Sequence, residues 1–234
     1  MPEQNRSACA DADTENSIRQ EQLASLGTLL ADFSHEIRNH LSVIREANGL
    51  LEDMLAMSGR DDPLSDRARE TTALIERRIS NSATLCCHLS GVAHRSDTPL
   101  SSFHLHELLA ELTALFARSA RSREIDLRLE PGPDIQPVYN DPALLQHVIY
   151  RLYIFCLEHL DRGQTLVLGT AREEDCSVVF FRLPGMPHIN PTGLSQTVQA
   201  AVARLAGRVE ENNTPDAAGL RLVLEPAGIN NSVE

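Results

Sequence analysis

The sequence predicts an α plus α/β chain: a long antiparallel helical hairpin that forms a dimeric four-helix bundle, followed by an α/β sandwich. Three observations point there. Leu23, Leu26, Leu30, Phe33, Ile37, His40, Ile44, Ala47, Leu51 and Met54 recur by threes and fours, the spacing of a heptad seam. No proline interrupts the chain between Pro2 and Pro63. Beyond Ser96, Asp97, Thr98 and Pro99 the pattern changes to alternating helix-like and strand-like segments.

Taken in order, residues 1–16 have no apolar period and are expected to form a disordered tail. Residues 17–95 form the hairpin. Its first helix runs from about Asn16 to Met57, on the order of 60 Å at the usual rise per residue. Ser58 to Pro63 supply a glycine stop, acidic residues and a proline for the next first turn. A second helix reaches His94, with Leu64, Ala68, Leu74, Ile75, Ile79, Leu85 and Leu89 on one side. Two such stripes exceed what each can bury on the other, so a second copy of the hairpin is the expected cover. Residues 96–228 make the sandwich. A helix is expected over 103–120, a strand over 123–130 and an Asp141-Pro142 cap opening a helix to Leu160. Strands are expected over 165–170, 177–183 and 220–224, with a helix over 194–206 between the last two. Residues 229–234 are a tail.

The 234 residues carry 21 Lys+Arg against 33 Asp+Glu, a formal net charge of −12, so no electrostatic footprint for nucleic acid or an anionic membrane is present. The polar, acidic N-terminus has neither the basic nor the apolar region of a signal peptide. Cys9, Cys86, Cys87, Cys156 and Cys176 form no disulfide framework or CxxC pair. These features lead us to expect a soluble, cytoplasmic protein. Adjacent Cys86 and Cys87 are expected to serve packing, and His104 and His106 lack a third ligand within sequence reach.

The chemically informative stretch is Phe33 to Leu41. With Phe33 and Ile37 turned into the bundle, His35 takes the opposite, solvent-facing position, where a neutral imidazole is a nucleophile. Glu36 is placed to hold a ring nitrogen or accept its proton, and Asn39, one turn on, to orient a phosphoryl oxygen or a water. A His-Glu-x-x-His zinc site is excluded because Asn39 stands at the second histidine's place.

Leu23 to Gly27, followed by Phe33-Ser34-His35-Glu36-Ile37-Arg38-Asn39, resembles the H-box of two-component sensor histidine kinases. Phe103 to Leu109, Asp141 to Ile149, Gly207 to Val209 and Leu220 to Leu224 are similar to stretches of those kinases' GHKL-type ATPase domain. The resemblance implies a phosphoryl-carrying His35 on a dimeric hairpin, with Arg38 and Ser42 meeting a response-regulator receiver domain. His40 replaces the family's usual proline, which bears on the helix kink below the site. Where the family places two asparagines, the second a magnesium ligand, this chain has Arg151 and Phe155. Where it reads adenine with Asp-x-Gly-x-Gly, this chain has Phe181 and Leu183, with only Gly185 retained. The glycine-rich phosphate loop before the last helix is absent.

The second domain is therefore expected to keep the kinase fold without binding ATP. No cofactor or metal site of its own is expected, any Mg²⁺ coming bound to the receiver. The leading expectation is a homodimeric histidine phosphotransferase in a phosphorelay, like the phosphotransferases derived from such kinases. The alternatives are a phosphatase of a phosphorylated regulator and a non-catalytic pseudokinase acting on a partner kinase.

Overall fold

A computed structural model of the chain describes residues 2–57, 64–97, 99–130, 132, 137–214 and 217–226. The expected glycine-proline stop at 58–63 and the tail at 229–234 lie outside the described residues.

The hairpin comprises α1 (Pro2–Met57) and α2 (Leu64–His94). The second part runs β1 (Ser101–Phe103), α3 (Leu105–Ser122), β2 (Asp126–Leu129), β3 (Val138–Asn140), α4 (Pro142–Glu158), β4 (Thr165–Glu173), β5 (Cys176–Pro184), α5 (Gln196–Arg204), β6 (Gly207–Glu211) and β7 (Ala217–Leu224). Short 3₁₀ turns at Arg95–Asp97 and Pro191–Gly193 join elements. The helix begins at Pro2, which corrects the expected disordered tail over 2–16. No proline or paired glycine breaks the run, so the polar residues extend the helix that the leucines define.

Five strands form a mixed sheet in the order β2-β4-β5-β7-β6, with β2 parallel to β4 and the other pairs antiparallel. Strands β1 and β3, too short to show a period in the sequence, pair separately. Alternation along the strands sends Leu166, Leu168, Val179, Phe181, Leu183, Leu220, Leu222 and Leu224 to one face. There they share a core with Leu108, Leu112 and Phe116 of α3, Leu145, Ile149 and Tyr153 of α4, and Val198 and Val202 of α5. All three helices thus cover the same face of the sheet. Asp141 caps α4 as expected, accepting from Leu144 N at 2.9 Å with Pro142 in the first turn. Ser195 caps α5 in the same way.

The seam behaves differently from the sequence pattern. Leu23 (69% exposed), Leu26 (36%) and Leu30 (49%) face outward, while Ile18, Ser25, Leu29, His40 and Ala47 are buried among the described side chains of α1. The reason is that α1 packs not only on α2 but also along α3, α4 and α5, and these take a neighbouring face of the helix. The apolar stripe left over continues through Leu41. Contrary to the packing role expected for them, Cys86 and Cys87 are exposed. No helix among the described residues is long and apolar enough to cross a membrane.

Candidate functional site

His35 stands exposed on α1, and among the described residues no side chain bonds to it. That agrees with the expected solvent-facing position. α1 is helical straight through the box, so His40 in place of proline leaves no break there. Instead His40 is buried, its Nδ1 2.9 Å from Ser82 Oγ on α2. The Ser82 hydroxyl donates to the Arg78 carbonyl, so it accepts from His40 Nδ1–H. On its other side the ring's Nε2 lies 3.5 Å from Glu36 Oε1.

Glu36 is not turned to His35. Arg121 of α3 donates from Nη2 to Glu36 Oε1 at 2.6 Å, and the carboxylate is largely covered while the guanidinium stays mostly exposed. One turn earlier Arg118 Nε meets Asp32 Oδ1 at 3.2 Å. The expected role of Glu36 as holder of the His35 ring is therefore corrected, because a longer-range cation outcompetes the neighbouring imidazole for its charge. Asn39 is exposed, one turn from His35, and lines a cleft of about 590 Å³ with Arg78, Arg118, Arg121 and Ser122. Arg38 is exposed, with Nε 3.4 Å from the Ser34 carbonyl, and Ser42 is half-buried. His35, Arg38, Asn39 and Ser42 thus follow one another by threes and fours along α1, while Glu36 turns to Arg121 in the cleft that Asn39 also lines.

At the other candidate region, α4 and the sheet, the residues do not fit a magnesium nucleotide. Phe181 (1% exposed) and Leu183 (0%) lie inside the core, where an adenine-reading carboxylate would have to reach a ligand. Phe155 offers no oxygen to a hard cation and packs tilted against His159, with ring centres 4.5 Å apart and planes at 44°. Its ring edge also fills the space beside Gly193, where an added Cβ would stand 3.2 Å from it. Gly185 does keep the left-handed turn after β5 (φ 79°), so the backbone bend persists without the chemistry. Arg151 points to α1 and lies 3.6 Å from Glu21 Oε2. No group of three or more metal-ligating side chains occurs among the described residues.

Sequence reasoning missed His147. It is buried on α4, with Nδ1 3.2 Å from Ser25 Oγ of α1 and Nε2 4.0 Å from Glu21 Oε2. The Ser25 hydroxyl donates to the Glu21 carbonyl, which makes His147 Nδ1–H the donor in this pair. Burial pushes the His147 pKa down to about 4, against the pull of Glu21 and with a smaller push from Arg151. The serine lies in the quoted Leu23–Gly27 stretch, but nothing there signals a partner 122 residues away.

Known proteins are similar to the chain in sequence and in structure. No protein-family profile matches it. In sequence it is similar to the sensor histidine kinase ZraS of Escherichia coli (strain K12), 26% identical over 156 residues, 67% of this chain and 32% of that protein. It is also similar to the sensor kinase CckA of Brucella abortus (strain 2308), 25% identical over 157 residues, 67% of this chain and 16% of that protein. The chain spans about a third of the length of the ZraS relatives. Among solved structures, the catalytic domain of the histidine kinase ThkA is similar with a TM-score of 0.47 and 16% identity, over 55% of this chain and 96% of that one. In sequence, then, the chain is similar to part of several sensor histidine kinases.

Proposed function

We propose that the protein is a dimeric histidine phosphotransferase of a two-component phosphorelay, working without ATP. One juxtaposition carries the reading: the H-box nucleophile His35 is open to solvent, while Phe155, Phe181 and Leu183 fill the positions a magnesium nucleotide would need. A response-regulator receiver brings an aspartyl phosphate, with its own Mg²⁺, to the exposed His35 side of α1. The lone pair of a His35 ring nitrogen forms a P–N bond as the P–O bond to the aspartyl carboxylate breaks, and the bonding pair leaves with the carboxylate. The reverse step, onto a second receiver, completes the relay. Catalysis is then mostly in-line positioning, with Arg38 and Ser42 at the docking face and Asn39 orienting a phosphoryl oxygen. The leucine stripe of α1 supports a second hairpin as cover, giving the homodimer.

Asn39, beside the arginine-lined cleft, favours one further reading, in which it places water and the protein dephosphorylates the receiver. Incubation with radiolabelled ATP, alone and then with phosphorylated receivers, separates the cases. The expected result is no label from ATP and stable label on His35 from a receiver. Label from ATP restores the kinase, and receiver turnover without labelled protein identifies the phosphatase.

A further inference from the structure

Two features of the molecule belong together. The first is a row of charge pairs that docks the second domain on α1. Glu15, Glu21, Asp32 and Glu36 of the helix meet Arg204 of α5, Arg151 of α4, and Arg118 and Arg121 of α3, respectively. The second is where the row ends: its last carboxylate, Glu36, is the sequence neighbour of His35. His40 Nε2 stands 3.5 Å from Glu36 Oε1, and the hydrogen bond that Glu36 accepts comes from Arg121 at 2.6 Å.

We propose that Arg121 is a positioning residue for His35: by holding Glu36 on the α3 side, it keeps a general base away from a phosphorylated imidazole and prolongs the phosphohistidine. The inference rests on the phosphohistidine reading above and adds to it a control over the outcome. Hydrolysis of phosphohistidine requires water to attack phosphorus while the P–N bond breaks. The bonding pair returns to the ring nitrogen, and the water proton passes to a base. A carboxylate released beside the imidazole is such a base. The docked domain therefore favours storage and onward transfer, whereas an undocked domain frees Glu36 and favours loss of phosphate. Arg151, standing where the family has an asparagine, serves in this scheme as one of the tethers that keep α3 in register.

The test uses the whole chain and needs no identified partner. Potassium phosphoramidate phosphorylates imidazole by exchanging its P–N bond for a new one with release of ammonia, and ³¹P NMR then follows decay of the phosphohistidine. Arg121→Ala is expected to shorten its lifetime ~10-fold, less than the ~100-fold or more that a fully positioned base contributes. Arg121→Lys, which keeps a cation, restores a long lifetime, and adding Glu36→Gln to Arg121→Ala cancels the acceleration. An Arg121→Ala lifetime equal to that of the parent overturns the proposal, as does a double variant that decays as fast as the single one. Failure of phosphoramidate to load His35 overturns it too. The expected lifetime pattern without any transfer from receivers removes only the relay reading.

Discussion

The hairpin and the sheet domain treat their apolar residues in opposite ways. The domain buries them: Leu108, Leu145, Leu168, Phe181 and Leu222 are sealed between three helices and one sheet face. The hairpin leaves Leu23, Leu30, Leu41 and Ile79 about half exposed or more, and displays His35 beside them. One region has a closed core, with Phe181 and Leu183 inside it. The other has the candidate chemistry and an unfinished core. Stability and function are thus expected to respond to mutations in different halves of the chain.

The sharpest division comes from His35. His35→Ala is expected to abolish label uptake from a phosphorylated receiver while leaving the melting temperature unchanged, because the side chain is exposed and unbonded. Uptake at the parent level in that variant would end the assignment. Phe181→Ala reverses the pattern, removing a ring from the centre of the domain at ~3–5 kcal/mol by urea unfolding. Leu30→Glu tests the unfinished core. Sedimentation should show loss of the dimer with little change in the domain's own unfolding, and a parent protein that sediments as a monomer breaks the comparison at that point.

His147 gives a pH signature. Its ring is held neutral in the fold, with a pKa near 4 against an ordinary 6.5, so the unfolded chain binds more protons between those values. Stability is complete above pH 6.5 and falls as the pH drops toward 4, by about 3 kcal/mol at most for this group. His147→Leu should flatten that acid slope in urea titrations. An unchanged slope would assign the acid sensitivity to other groups. The smallest effect is expected from Arg118→Ala, under ~1 kcal/mol, since its pair with Asp32 is partly exposed and salt-screened.

Periodicity and caps made much of the fold legible. The two long helices, the Asp141 cap and strands β4, β5 and β7 follow from residues adjacent in sequence. The start of α1 did not, because polar residues carry no burial signal and the helix extends through them from its apolar part. The stretch that resembles an H-box singled out His35 and Asn39, both exposed on α1, but the contact of Glu36 was not legible for lack of its partner. Arg121 is 85 residues away, and nothing local announces which carboxylate a surface arginine will choose. Arg151 shows the same limit: its position marked a departure from a family pattern, while its contact with Glu21 exists only in three dimensions.

The sheet also ends in a telling way. Edge strand β2 is four residues long and carries Asp126 and Arg128 in a 2.6 Å pair. Edge strand β6 carries Arg208, Glu210 and Glu211, with Arg208 Nε 2.6 Å from Glu210. Charged, short edges do not recruit a strand from another molecule. Crowding or heating that leaves the sheet folded should therefore not drive fibrillar growth through its margins. The exposed leucines of α1, not the sheet margins, are therefore where the proposed pairing of two copies is expected to form.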